Sequence, residues 1–267
     1  ITNNNMKNSK NLIFRLDLDS GKYAGTGHFT RIKKIYYFLK KKYPGINFIF
    51  LYKKLENSKS MLNTFVKKNH IIFNNSFDQK LNFIGKNDII ICDTPFGADY
   101  SLNKFIVKKK ISRVVLIDDL NKPKINNCTI INGIIHFKKK IKPFKNNKIF
   151  QGSKYIFLDK IYKENRKKII NKKITILVSS GGTDSKNNLF KIVNCLNNIP
   201  KIKIFLIIGS QVKKNNKVLN IRKKNIEFIV NKESIYKYFS KSDICITAGG
   251  ITMFESIALK KLTLVYQ

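Results

Sequence analysis

Short, uninterrupted apolar runs alternate along the whole chain with stretches whose apolar residues recur at helical spacing. Leu12–Leu16 reads as a strand leading into a Gly-rich loop, after which Ile32, Ile35, Tyr36 and Leu39 mark one face of a helix. The pattern then predicts a strand over 47–52, a helix over 61–68, a strand over 70–73 and a strand over 88–92. A helix over 102–109 and strands over 113–117 and 129–131 complete this first series.

Lys138 to Asn147 is basic, contains Pro143 and shows no period, so it reads as a linker. A second series follows: strands over 174–178, 202–208, 226–230, 244–247 and 262–265, with helices over 188–196, 234–239 and 253–259. Strands that are apolar throughout and separated by helices imply parallel sheets covered on both faces. The expected fold class is therefore α/β, with two Rossmann-like domains facing a cleft, one over residues 1–148 and the other over 149–267. Ligands in such folds sit beyond the carboxyl ends of the strands, so the loops there are the places to look for chemistry.

Composition changes the picture only slightly. Of the 267 residues, 43% are hydrophobic, which fits a globular protein, and the formal net charge is +37. That charge alone would suggest nucleic acid or an acidic membrane as partner. The basic residues are overwhelmingly Lys, however, and they rise together with Asn and Ile, as A/T-rich codons would dictate. No nucleic-acid reader motif accompanies them, so most of the charge reads as solvated surface that also attracts an anionic substrate.

Cys92, Cys128, Cys195 and Cys245 form no C-x-x-C pair, and three of them lie in or beside apolar runs. Buried free thiols in a reducing, cytoplasmic setting are the expectation, with no metal site. No apolar run approaches the ~18–20 residues that span a bilayer, so stable membrane insertion is not expected. The chain begins without Met and stops just after an apolar strand, so both ends read as cut and the second domain as truncated at its C-terminus.

Three loops carry candidate chemistry. The first joins the first strand to the first helix and contains Asp17, Asp19, Gly25, Thr26, Gly27 and His28. Gly25 and Gly27 allow close backbone approach to a ligand, and His28 falls at a helix N-terminus, where the dipole favours the neutral, proton-accepting ring. The competing reading is a His that merely packs at a helix start. In the second loop, Gly181 and Gly182 precede Thr183 and Asp184; they offer N–H groups to a phosphate or sugar hydroxyl, or form a plain turn with Asp184 or Ser185 as helix cap. The third runs from Thr247 through Gly249 and Gly250 to Thr252 and Glu255. A diphosphate would sit on the N–H groups there, with Thr252 donating and Glu255 meeting ribose hydroxyls, unless Glu255 only complements the helix dipole. Neither a P-loop Lys nor a G-x-G-x-x-G after the first strand is present, which argues against ATP and NAD sites, and no cofactor is expected.

Arg15-x-Asp17 followed by Gly25-Thr26-Gly27-His28-x-x-Arg31 resembles the opening motif of the UDP-sugar hydrolases of pseudaminic acid biosynthesis and their spore-coat polysaccharide relatives. Further matches fall in order: Asp118-Asp119, Asn132, Gly152-x-x-Tyr155, Gly181-Gly182-Thr183-Asp184, and Asp243 through Gly249-Gly250 to Glu255. The resemblance implies the two-domain GT-B architecture. It also implies a UDP-sugar as the small-molecule partner, no metal, and His28 as the base, with Asp17 beside it, that activates water against the anomeric carbon. UDP would be gripped by Glu255 at the ribose, by Gly249, Gly250 and Thr252 at the diphosphate, and by backbone near Ile229 at the uracil. A glycosyltransferase of the same fold, using His28 to deprotonate an acceptor hydroxyl, is the alternative, and the basic, Tyr-rich helix from Arg31 to Tyr43 would suit docking near a membrane.

Three departures from the family pattern stand out. The segment Asp93-Thr94-Pro95-Phe96 lacks the Tyr of the family's Asp-x-Tyr, and Asp159 occupies the place of a common Arg. The family's Asn-Gln element would fall beyond Gln267, which leaves the expected active site incomplete.

Overall fold

The computed structural model describes residues 11–16, 27–53, 70–73, 84–94, 100–117, 125–133, 146–164, 173–184, 186–209, 212, 215–230 and 234–266. The predicted helix over 61–68 lies outside them. The chain divides into two compact units, with the division after Ile156.

The first unit is built on a seven-stranded sheet comprising β1 (Asn11–Leu16), β2 (Asn47–Lys53), β3 (His70–Phe73), β4 (Ile89–Asp93), β5 (Arg113–Ile117), β6 (Thr129–Asn132) and β7 (Lys148–Gln151). Every pairing is parallel and the order is β3-β2-β1-β4-β5-β6-β7. Successive strand residues point to opposite faces, and here both faces are covered. Phe14, Phe48 and Phe50 face α1 (Gly27–Lys42), where Tyr36 meets all three rings edge-on. Ile13, Ile49, Leu51, Ile90 and Leu116 form the opposite layer with Leu102, Phe105 and Ile106 of α2 (Tyr100–Lys108).

The short edge strand β7 begins directly after the segment that reads as a linker, and it belongs to the first unit. Its alternation is weak: Phe150 is exposed and only Ile149 reaches the core. The strand exists because its backbone completes the ladder of β6, a non-local gain with no signature in its own four residues.

The second unit has a five-stranded parallel sheet of β8 (Ile174–Ser179), β9 (Ile202–Ile208), β10 (Ile226–Val230), β11 (Ile244–Ala248) and β12 (Leu262–Tyr266), ordered β10-β9-β8-β11-β12. The helices are α3 (Ile161–Glu164), α4 (Asn188–Asn197), α5 (Tyr236–Lys241) and α6 (Ile251–Ala258). Leu189 and Val193 of α4 pack with Val178, Ile204 and Leu206 on one face. Tyr238 and Phe239 of α5 join Tyr162 of α3, Leu177, Phe205 and Ile207 on the other.

The two sheets share a device at their amino ends. Asp88, just before β4, accepts the Asn11 N–H of β1 at 2.9 Å, and Asp243, just before β11, accepts the Thr175 N–H of β8 at 2.9 Å. Each carboxylate fixes the register between the two strands at which the sheet order reverses, and so fixes the spacing of the loops at their other ends.

Candidate active site

In both sheets the strand order reverses beside the first strand of the unit: between β1 and β4, and between β8 and β11. Chains leaving two such neighbours diverge to opposite faces, which opens a crevice at their carboxyl ends. The candidate chemistry collects there.

At the first reversal, α1 begins at Gly27 and carries His28 and Arg31 one turn apart, while β4 ends on Asp93. His28 Nδ1 stands 2.5 Å from Asp93 Oδ1. Arg31 reaches the same carboxylate with two bonds, Nε to Oδ2 at 2.6 Å and Nη2 to Oδ1 at 2.6 Å, and its Nη2 lies 3.3 Å from His28 Nδ1. Asp93 is fully buried and the Arg31 side chain nearly so, whereas 22% of the His28 side chain stays open. Burial pushes the Asp93 carboxyl up, but the Arg31 guanidinium and then His28 outweigh it and hold the group below the ordinary carboxylate value of 3.8.

Arg15, on β1, is enclosed by the sheet, with Nη1 donating to the Leu16 carbonyl at 2.8 Å. Asn132 and Gly152, matched separately in the sequence, are neighbours: β6 and β7 pair Asn132 with Gln151, and the Gly152 N–H donates to the Asn132 carbonyl at 2.9 Å. Asp17, Gly25, Thr26, Asp118 and Asp119 lie outside the described residues.

At the second reversal, Gly181 and Gly182 follow β8, and Gly249 and Gly250 follow β11. Gly250 has φ 106°, a conformation that favours glycine, and no described side chain caps the first N–H groups of α6 behind it. Thr252 lies in the first turn of that helix. The Thr247 hydroxyl, at the end of β11, is buried with no hydrogen-bond partner among the described residues. Asp184 is spent on helix α4: its carboxylate accepts the Asn188 N–H at 2.8 Å and the Leu189 N–H at 3.3 Å, and Asn216 Nδ2 steadies it at 3.0 Å. That is the plain capping role.

Glu255 sits on α6 with only 7% of its surface exposed, and its carboxylate hydrogen-bonds the Tyr162 hydroxyl. Burial first, and Glu255 second, raise the Tyr162 pKa, so the phenol keeps its proton and donates it. Ile229 belongs to the core beside Ile207, so only its backbone, at the penultimate position of β10, faces any ligand question.

Asp93 and Tyr162 are functional candidates beyond those singled out from the sequence, and Gly209, where a Cβ would collide with the Gly181 and Gly182 carbonyls, fixes the turn after β8. Asp93 carried a usable signal: a carboxylate closing an apolar strand that the α/β rule places beside β1. Tyr162 and Gly209 carried none, since each acquires its meaning from a residue far away in sequence.

Two successive parallel sheets of this topology, each with its loops of interest at the reversal of strand order, define a GT-B-type α/β protein. No protein-family model matches the sequence. The chain is similar to the spore coat polysaccharide biosynthesis protein SpsG of Bacillus subtilis (strain 168), with 28% identity over 183 residues, 65% of this chain and 54% of that protein. It is also similar to the uncharacterized protein MJ1062 of Methanocaldococcus jannaschii, 25% identical over 203 residues, 70% of this chain and 41% of that one. The chain thus spans about half the length of the curated relatives it matches.

Among solved structures, a glycosyltransferase from Rickettsia africae ESF-5 superposes with a TM-score of 0.54 at 13% identity, covering 96% of this chain and 79% of that one. The S. aureus MnaA–UDP co-structure gives 0.50 at 14% identity, covering 97% and 79%. At these identities the likeness is one of fold. Among the described residues no group of three or more His, Cys, Asp and Glu side chains is placed to hold a metal, and no helix is long and apolar enough to cross a membrane.

Proposed function

We propose that the chain is a UDP-sugar-using enzyme of polysaccharide biosynthesis, and more finely a hydrolase that releases UDP from a UDP-linked diacetamido-trideoxy sugar. The observation that carries this reading is the contact between His28 and the buried Asp93–Arg31 pair at the β1–β4 reversal. A ring braced on one nitrogen by a buried carboxylate, and partly open to solvent, suits a general base. In this reading His28 takes a proton from water as the water attacks the anomeric carbon; the C–O bond to the diphosphate breaks and UDP leaves. The start of α6, uncapped among the described residues, with Gly249, Gly250, Thr252 and the Thr247 hydroxyl, which has no partner among them, suits the diphosphate. Glu255, in contact with Tyr162, would meet the ribose.

Transfer to an acceptor is the second reading. It is favoured by Tyr37 and Phe38, which are 48% and 65% exposed on α1 among lysines, a face suited to an acceptor at a membrane surface. Incubating the full-length protein with a panel of UDP-sugars, with and without acceptors, separates the two. Free sugar released without acceptor supports hydrolysis, sugar consumed only with acceptor supports transfer, and no UDP release under either condition overturns both.

A further inference from the structure

The contact of 2.5 Å between His28 Nδ1 and Asp93 Oδ1 fixes where a proton must be. Two lone pairs facing each other at that distance would repel, so one hydrogen lies between them. Arg31 does not provide it: of the two hydrogens on its Nη2 one points to Oδ1 at 2.6 Å and the other at most to the ring nitrogen at 3.3 Å, and neither lies on the line between Nδ1 and Oδ1. The carboxyl does not provide it either. Arg31 engages both of its oxygens, a geometry that demands the carboxylate, and the group is held below its ordinary range. The hydrogen therefore belongs to Nδ1. In a neutral imidazole that leaves the lone pair on Nε2, on the other side of the ring.

We propose that Asp93 is a positioning residue: braced by Arg31, it locks His28 in the Nδ1–H tautomer so that Nε2 is the atom that receives the proton from water or acceptor. This rests on His28 being the base. Arg31 thereby acts through Asp93, because a carboxylate anchored at both oxygens cannot swing to follow the ring. No atoms are exchanged in the brace itself; the catalysed step remains proton transfer from the nucleophile to Nε2, with UDP as leaving group.

The prediction has a readout that a structural role would not move. In protein carrying ¹⁵N-labelled histidine, long-range ¹H–¹⁵N spectra distinguish the two tautomers and the imidazolium. With only three His in the chain, the His28 signals are those lost in His28→Ala. At a pH where the ring is neutral the expected result is a protonated Nδ1, a bare Nε2 and a far-downfield Nδ1 proton. A neutral Nε2–H ring in the wild type overturns the inference.

Asp93→Asn supplies the second arm. Its single oxygen is claimed by Arg31, so its amide faces Nδ1 and donates to it, which moves the ring proton to Nε2. Such an exchange behind a catalytic His costs turnover up to about 10⁴-fold through the wrong tautomer. The expected outcome is an inverted His28 tautomer with kcat reduced about 10²–10⁴-fold and KM within about 3-fold. An inverted tautomer with unchanged kcat overturns the inference, and so does a variant that keeps Nδ1–H. If Asp93→Asn does not fold, the wild-type spectrum decides alone. Full activity in His28→Ala would remove the base reading while leaving the tautomer measurement standing, so the two failures are distinguishable.

Discussion

Replacing Gly209 by alanine is expected to destabilise the second unit. Gly209 follows β9, and a Cβ built on it would lie 2.1 Å from the Gly181 carbonyl oxygen, 2.7 Å from that of Gly182 and 2.8 Å from the Gly182 carbonyl carbon. A carbon and a carbonyl oxygen rest near about 3.3 Å, so Gly209→Ala forces a displacement of roughly 1 Å. The obstruction is backbone, with no flexible side-chain end to yield. Overpacking of this kind costs about 1–3 kcal/mol, and the depth of the overlap places Gly209→Ala near the upper limit. For a small domain such a loss lowers the melting midpoint by on the order of 10 °C.

Urea and thermal melts followed by circular dichroism measure it, with the shift confined to the transition of the second unit if the two units unfold separately. The displaced segment is the Gly181–Gly182 turn, so UDP titrated calorimetrically into still-folded Gly209→Ala is expected to bind more weakly as well. A stability change below about 0.5 kcal/mol would refute the reasoning, because it would mean that the turn after β8 yields without cost.

Other expectations follow from the site. His28→Ala is expected to lower turnover about 10²–10⁴-fold with little change in UDP affinity, and a folded variant that turns over normally returns His28 to a packing role. Glu255→Ala and Glu255→Gln are both expected to weaken UDP binding by about 1–3 kcal/mol; only the Ala variant should also lose stability, since Gln still accepts from Tyr162. Unchanged UDP affinity in calorimetry would take Glu255 out of the nucleotide site. Asp93, held below the ordinary value of 3.8 in the folded state, contributes stability that is complete above that value and is lost as pH falls through the lower folded one. The stability gap between wild type and Asp93→Asn should therefore be constant above about pH 4 and shrink below it, and a gap that widens on acidification in urea melts contradicts the assignment.

Most of the architecture was legible because buried parallel strands write themselves as uninterrupted apolar runs. The strands over 202–208 and 226–230 fall where the pattern puts them. What escaped was short or defined by a partner: β7 lives on the ladder of β6, and α3 is a single turn. At the site, His28 was legible from its place after a Gly-rich loop, and Arg31 from its motif. The structure assigns Arg31 to Asp93, 62 positions away. Asp93 itself was overshadowed by the missing Tyr two residues on. The Gly181–Gly182 loop drew attention as a phosphate cradle, yet its Asp184 serves a helix and its carbonyls lie where only a glycine fits at position 209. Contacts between distant segments leave no periodicity to read.

The pairing of β1 with β4 also bears on how the protein is made. Asn11 finds Asp88 across 77 residues, and β1 is the sheet's first strand to leave the ribosome. At about 5–20 residues per second, Asp88 emerges roughly 4–15 s after Asn11. Throughout that interval β1, with its apolar Leu12, Ile13, Phe14 and Leu16, and its β2 neighbour lack the strand that pairs on their other side, while Arg31 lacks the carboxylate that will brace it. For several seconds of synthesis, then, the apolar segment around β1 and β2 lacks its β4 neighbour, and that is the stage at which aggregation of the nascent chain is expected to compete with folding. Slowing translation between β2 and β4 would lengthen that stage and raise the aggregated fraction of nascent chain without altering a single contact of the finished fold.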